Sequence, residues 1–203
     1  MRMLDLFCGR FGWSKAFADR GWECVGVDLV KPPEIPEGCL FHEANVLSLA
    51  QSWVNGFDFI CASSPCEEFS VHGLRNFHPN PKYPELGIRL FNHTRQLCEA
   101  SRLPYVMENV RAAQQFVGDA VHHCGPFYLW GNAVPPLMNQ GITKGTKFGL
   151  DKDGTRKSRK IFDIYYKTGS KSKKRKEYQA KIAEIPPELS YCVAEYAERL
   201  LTL

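Results

Sequence analysis

The stretch that decides the fold is residues 1–29, MRMLDLFCGRFGWSKAFADRGWECVGVDL. "MRMLDLF" is apolar enough for a buried strand, and "ECVGVDL" reads as a second strand ending on an acid. Between them the turn "CGRFG" leads into "WSKAFADRG", a short helical stretch closed by Gly21. Strand, turn, helix and strand in that order point to a parallel pair.

The same alternation runs outward from this unit. "KPPEIPEG" is loop, "CLFHEA" a third strand, and "NVLSLAQSWVN" a helix with Asn45 placed to cap it. "FDFICAS" has the β-propensity of a fourth strand, and "PYVMENV" of a fifth. Between those two, helical periodicity starts at about Glu85 in "PELGIRLFNHTRQLCEASRL". The pattern predicts an α/β fold: a doubly wound, mostly parallel sheet with helices on both faces. Such sheets bind ligands at the carboxyl ends of their strands. "FCGRFG", "VDL", "SSPCEEFS" and "MENV" all fall at those ends and are expected to line one crevice.

The second half is less regular. "PFYLWGN" and "KIFDIYY" read as two further strands, separated by a stretch rich in Gly, Lys and Pro. "PPELSYCVAEYAERLL" is the clearest helix, with Pro186 and Pro187 at its start and an apolar stripe at 189, 193, 196, 197, 200 and 201. No internal repeat is present. The organisation expected is a core over 1–140, a basic insertion over 141–180 and a C-terminal helix over 181–203 packing back on the core.

A chain of 203 residues suits one domain, and 44% hydrophobic with 24% charged residues fits a soluble globular protein. No run of about 18 apolar residues occurs, so no membrane span is expected. The first residues enter "MLDLFCG" too quickly for a signal peptide, and the cytoplasm is the expected setting. The eight cysteines contain no Cys-x-x-Cys pair, which favours buried free thiols over a disulfide framework. A zinc site drawn from Cys61, Cys66, His72, His122, His123 and Cys124 matches no standard spacing, so no metal is expected.

The net charge of +4 hides an asymmetry. Lys144 to Lys181 holds 14 basic and 4 acidic residues, whereas the rest holds 12 and 18. This excess suits a phosphate-contacting arm, which binds through counterion release. A solvated loop, above all over "SKSKKRK" at 170–176, is the other reading of the same charge.

At the crevice, Gly9 and Gly12 allow a ligand close to the backbone. Asp28 is placed to bind a ribose diol or to cap a helix. Cys66 reads as a nucleophile, a metal ligand or packing; the adjacent Glu67 and Glu68 disfavour its thiolate. Glu108, at the end of the next strand, is the natural acid partner.

In order, these blocks resemble the DNA cytosine-5 methyltransferases. "DLFCGRFGWS" resembles the cofactor loop, "VGVDL" the ribose-binding strand end and "SSPCEEFS" the Pro-Cys nucleophile loop. "RLFNHTRQL" followed by "PYVMENV" resembles the helix and Glu-Asn-Val strand that supply the acid. The likeness covers residues 1–111 and the C-terminal helix. It implies a Rossmann-like methyltransferase sheet, S-adenosylmethionine as methyl donor, and duplex DNA with a flipped cytosine as substrate. Cys66 and Glu108 are then catalytic. Phe7, Gly9, Gly12, Trp13, Asp28, Leu29, Asn45, Val46 and Pro65 surround the cofactor. Ser70, Asn109, Arg156, Arg159, Lys160, Lys173, Lys174 and Arg175 face DNA. An RNA cytosine methyltransferase and a catalytically idle nucleic-acid-binding homologue share the same pattern.

The chain departs from that pattern at several positions. Glu67 stands where the family has Gln after Pro-Cys, and Asn45 where Asp is common. Phe11 replaces a second glycine, which predicts a less open cofactor loop. "GNAVPP" at 131–136 imitates a late Gly-Asn motif without a helix-like run after it. Residues 141–180 are the only room for target recognition, so loose or very short recognition, or help from a partner chain, is expected.

Overall fold

A computed structural model describes residues 1–73, 79–136 and 184–202. In chain order the strands are β1 (Arg2–Leu6), β2 (Glu23–Asp28), β3 (Cys39–Glu43), β4 (Phe59–Ser63), β5 (Tyr105–Asn109), β6 (His122–Cys124) and β7 (Phe127–Trp130). The helices are α1 (Ser14–Ala18), α2 (Gln51–Val54), α3 (Glu67–Gly73), α4 (Glu85–Ser101), α5 (Gln114–Val117) and α6 (Pro187–Leu201). The seven strands form one sheet in the order β3-β2-β1-β4-β5-β7-β6. β1 to β5 are mutually parallel, whereas β7 runs antiparallel to both β5 and β6. This is a mixed, mostly parallel α/β sheet of Rossmann-like order.

Burial on both faces explains why the central strands read as nearly continuous apolar runs. Met3, Phe59, Cys61 and Val106 face α1 and α6, whereas Leu4, Leu6, Ile60, Ala62 and Met107 face α4. α4 presents Phe91, Thr94, Leu97 and Cys98 to the sheet, three or four residues apart as a helical face requires. It ends at Arg102, which turns left-handed at φ 60°.

The fourth and fifth strands and the long helices lie where the sequence puts them, but five details differ. The single helix expected after Asn45 is instead a 3-10 turn, Val46–Ser48, and the separate α2. Leu49 and Ala50 are extended between them, which breaks the helical ladder. α3, the turns over 111–117 and β6 were not anticipated: β6 has only three residues, two of them histidines, and carries no apolar signal. The buried stripe of α6 is Leu189, Ser190, Val193, Ala194 and Ala197, whereas Leu200 and Leu201 are exposed. Small residues line that face because α6 packs closely on α1. "KIFDIYY" and most of the 141–180 insertion lie outside the described residues.

Six of the eight cysteines are buried and all are free thiols. Burial pushes the Cys8, Cys61 and Cys98 thiols upward, Cys98 to about 12, so they behave as small apolar side chains. Among the described residues no three His, Cys, Asp or Glu side chains could hold a metal ion. His123 stacks on Tyr128 instead, with ring centroids 4.9 Å apart. No described helix is long and apolar enough to cross a membrane.

One close approach sets the geometry of the first loop. Phe11 has φ 61°, the left-handed conformation that glycine adopts readily, and its ring is fully buried. The ring lies over Gly26 of β2, where an added Cβ would stand 2.3 Å from Phe11 Cε1 and 2.8 Å from Cys8 Sγ. Gly26→Ala is therefore expected to overpack the core and cost about 1–3 kcal/mol. Urea denaturation measures it; an unchanged midpoint would refute the packing account.

Candidate functional site

β1 and β4 are neighbours in the middle of the sheet, but the chain leaves β1 toward β2 and β4 toward β5. Connections that diverge in this way leave a crevice at the carboxyl ends, the usual ligand site of an open α/β sheet. "FCGRFG" follows β1 and "SPCEEF" follows β4, so both loops border this crevice.

The loop after β1 is fixed by backbone conformation and by Asp28. Phe7, Gly9 and Phe11 have φ of 59°, 50° and 61°. Cys8 N donates to Val27 O at 3.1 Å, and Phe11 N to Cys8 O at 2.6 Å. Asp28, half-buried at the end of β2, accepts Gly9 N at 3.0 Å on Oδ2 and Leu29 N at 2.7 Å on Oδ1. Each oxygen retains acceptor capacity, so the carboxylate is held in position and still able to receive hydroxyl groups. Asp28 thus braces the glycine turn and caps no described helix.

The two loop glycines differ. A Cβ on Gly9 would meet nothing within 4 Å, so the chain there faces open space. On Gly12 it would stand 2.9 Å from Ile185 N, so this glycine admits the segment entering α6. The expected narrowing at Phe11 does not arise, because its ring turns into the core over Gly26 and Phe41 rather than into the crevice.

The loop after β4 is held from both faces of the sheet. Trp13 Nε1 donates to Ser63 Oγ at 2.9 Å on the α1 side. On the α4 side Asn109 Nδ2 donates to Ser64 O at 3.0 Å and to Ser64 Oγ at 3.1 Å. Asn109 Oδ1 accepts Val110 N at 2.8 Å, and the residue is fully buried. The expectation that Asn109 faces DNA is corrected: its amide is engaged with the protein, and it positions the Pro-Cys loop. Trp13 and Val46 are likewise buried and act as walls rather than as exposed contacts.

Pro65 is exposed and Cys66 half-buried. Cys66 O accepts Ser70 N at 2.9 Å, so Cys66 caps α3, whose residue Ser70 is half-buried. The two following carboxylates belong to the first turn of α3, where negative charge is favourable. Glu68 Oε2 accepts Gly87 N at 2.8 Å and ties α3 to the start of α4. Glu67 is exposed. Glu108, only 6% exposed on β5, is the register partner of Ser63 on β4. The acid and the Pro-Cys loop thus occupy adjacent strand ends.

The remaining cofactor candidates lie toward β2 and β3. Leu29 is 63% exposed directly after Asp28, an apolar side chain open at the crevice lip. Asn45 is exposed, and its Oδ1 caps the 3-10 turn by accepting Leu47 N at 3.0 Å. Phe7 is half-buried at the other side of the loop. Arg156, Arg159, Lys160, Lys173, Lys174 and Arg175 lie outside the described residues.

Sequence reasoning missed Asp5, hidden in the apolar run of β1. It is 1% exposed and accepts Ser14 Oγ at 2.7 Å beneath the loop, while its Oδ1 has no partner. Burial raises its pKa from 3.8 to about 7, the Ser14 hydrogen bonds oppose the rise, and Asp28 adds to it. Its signal was an acid at an inward position of a strand buried on both faces.

α6 closes the site from behind. Ser190 Oγ donates to Trp13 O at 2.6 Å, and Glu198 receives Arg20 and Trp22 Nε1. Tyr191 O–H donates to Asp19. These contacts tie the C-terminal helix to the loop-bearing side of the core.

No family model matches the sequence, and no curated protein matches it. Among solved structures, the chain is similar to the antibiotic-resistance methyltransferase Kmr at 17% identity, covering 55% of this chain and 59% of that one, TM-score 0.31. It is similar to the 1,6-didemethyltoxoflavin-N1-methyltransferase of Burkholderia thailandensis at 17% identity, covering 64% and 53%, TM-score 0.33. It is also similar to SP1627 of Streptococcus pneumoniae TIGR4, which bears the description NADH-flavin reductase, at 13% identity, covering 91% and 63%, TM-score 0.34. The chain spans between half and two thirds of the length of each. These distant likenesses carry no argument about substrate.

Asp5 generates a pH prediction. With a folded pKa near 7 and an ordinary value of 3.8, the folded protein keeps a proton that the unfolded chain releases in between. Stability therefore falls as pH rises through that window and levels off above it. Asp5→Asn should remove this loss, gaining on the wild type by on the order of 3–4 kcal/mol between pH 4 and 8. Parallel urea curves at the two pH values read the difference; a gap between variant and wild type that does not change with pH would overturn it.

Proposed function

We propose that the chain transfers a methyl group from S-adenosylmethionine to carbon 5 of cytosine in DNA. The observation that carries this reading is the meeting of a Pro-Cys loop, a buried Glu on the adjacent strand and an open glycine turn around one crevice. The resemblance in sequence supplies the chemistry that such a set performs. The fold, a methyltransferase-type sheet, agrees with it at the coarser level of methyl transfer.

The residues suit an adenosyl sulfonium. Gly9 leaves room beside the loop, and Asp28 offers a positioned carboxylate for a ribose diol. Glu43, the register partner of Asp28, adds a second acid at the β3 end. Negative charge on neighbouring strand ends favours a cation. When bound, S-adenosylmethionine supplies an electrophilic methyl group.

Cytosine carbon 5 is a poor nucleophile, and the chain's own groups activate it. The Cys66 thiolate adds to carbon 6, and the electrons of the 5,6 double bond move toward carbon 5. Glu108 hydrogen-bonds at N3 and the exocyclic amine, stabilising the charge that develops on the ring. The activated carbon 5 would take the electrophilic methyl group that bound S-adenosylmethionine supplies, the thioether departing with the electrons of the broken bond. A base removes the carbon 5 proton, the double bond re-forms, and Cys66 departs. The target base leaves the duplex stack to reach the crevice.

Incubation with duplex DNA and S-adenosylmethionine, followed by mass analysis of the nucleosides, tests the reading. The wild type should give 5-methylcytosine, Cys66→Ser none, and Glu108→Ala a rate lower by about 10²–10³-fold. Product from Cys66→Ser at the wild-type rate would refute the covalent route, and product on RNA alone would replace DNA as substrate. Reversing the charge of Lys173, Lys174, Arg175 and Lys176 should weaken DNA binding and flatten its logarithmic salt slope by roughly 3–4. An unaltered slope would return that run to a solvated loop.

A further inference from the structure

Two of the buried thiols face each other across neighbouring strands. Cys24 on β2 and Cys39 on β3 are register partners in a parallel pair, and both belong to the part of the core that α1 and α6 cover. Residues in register on adjacent strands stand about 4.8 Å apart at Cα and project to the same face. A disulfide accepts Cα separations of roughly 4.4–6.8 Å, so the backbone already has the spacing that a bridge needs. Among the described residues β3 ends the sheet and pairs only with β2, so it can close on β2 without breaking a second ladder. The other strand cysteines lack such a counterpart: Cys61 pairs with Asp5 and Val106, and Cys124 with Phe127.

The two sulfurs are not equivalent. Cys24 is fully buried, whereas Cys39 keeps 8% exposure at the first position of the edge strand. Cys24 Sγ lies 3.5 Å from Ser14 O and 3.7 Å from Trp22 O, carbonyls that accept its proton and oppose its thiolate. A hydrogen bond from the Cys24 thiol to the Cys39 sulfur holds the Cys39 pKa below the usual thiol range, against the opposing effect of burial. The same bond, together with burial, pushes Cys24 up. Cys39 is therefore the nucleophile of the pair and Cys24 the thiol that resolves it.

We propose that Cys24 and Cys39 form a peroxide-responsive dithiol that closes to a disulfide between β2 and β3. The Cys39 thiolate attacks one oxygen of hydrogen peroxide; the S–O bond forms, the O–O bond breaks, and the hydroxide released takes up the thiol's proton as water. Cys24 sulfur then attacks the Cys39 sulfenic acid. The S–S bond forms, the S–O bond breaks, and the departing hydroxide takes the Cys24 proton as a second water. Both sulfurs are oxidised and the peroxide is reduced. A reduced dithiol reopens the bridge by exchange. The bridge encloses residues 25–38, among them Asp28, which braces the glycine turn through Gly9. Oxidation thus fastens both ends of the segment that carries Asp28.

Peroxide treatment of the whole chain, then alkylation of the unfolded protein and peptide mapping, tests the proposal independently of methyl transfer. Reduced protein should take up eight alkyl groups, one per cysteine. Oxidised protein should take up two fewer and yield a peptide pair linked through Cys24 and Cys39, and dithiothreitol should restore all eight. Cys24→Ala should leave a sulfenic acid on Cys39 that dimedone traps, whereas Cys39→Ala should leave Cys24 unmodified. Melting curves check that each variant folds, and the wild-type map decides the pairing by itself.

A link between Cys124 and Cys192 in place of the predicted one would overturn the proposal. So would oxidation confined to Cys66 or Cys192, with Cys24 and Cys39 still alkylated. Equal trapping of Cys24 in Cys39→Ala and of Cys39 in Cys24→Ala would overturn the assignment of the nucleophile.

Discussion

Between the ends of β1 and β4 the sheet has no covalent crossing, because the chain departs from these neighbours in opposite directions. Something other than the main chain has to fix the two loops relative to each other. The hydrogen bond from Trp13 to Ser63 does this directly, since it joins the loop after β1 to the end of β4. One residue on, Ser64 is held by Asn109 from the opposite face. Successive residues of a strand point to opposite faces, so two adjacent serines reach both layers. Cys66 follows two residues later, with little freedom left to its loop. Buried hydrogen bonds are worth only about 1 kcal/mol each in net stability, but leaving one partner unsatisfied costs more. That asymmetry keeps the loops in one arrangement.

The same bonds couple the site to the C-terminal helix. Trp13 accepts Ser190 through its carbonyl while donating to Ser63 through its indole. α6 therefore bears on the Pro-Cys loop through a single buried side chain. Gly12 admits Ile185 at the start of this helix, so the lack of a side chain there serves packing. The exposed ion pairs at the periphery contribute far less, because solvent screens them.

How much of this was legible depended on whether the signal was local. The order of strands and helices was, because hydrophobic runs and periodicity are properties of short segments. So was the convergence of the four motif blocks, which follows from parallel strands ending at one edge. The roles of Asn109, Gly12 and Phe11 were not. Asn109 looked like an exposed polar contact, whereas the register of β4 and β5 brings it against Ser64. Phe11 looked like an obstruction because its rotation into the core depends on Gly26, a residue on another strand. Glu68 looked like a charge beside the thiol, but it points toward Gly87 on α4. In each case the deciding partner is 15 or more residues away. β6 escaped notice for a different reason: a three-residue strand of His, His and Cys is defined by its pairing with β7 and not by composition.

The acids around the crevice bring a further constraint. A buried carboxylate is costly unless it is paired or neutral, and Asp5 meets that condition by holding its proton to about pH 7. Ionised Asp28 contributes to this, since two negative charges at one site oppose each other. The converse also holds: a cationic centre bound beside Asp28 would relieve that opposition and let Asp5 ionise more readily. Ligand charge and Asp5 protonation are then linked, and linkage acts equally in both directions. A cationic ligand gains affinity as pH rises through the Asp5 transition, while a neutral one of the same shape does not. Such a dependence on ligand charge would tie the buried acid of β1 to the loop above it.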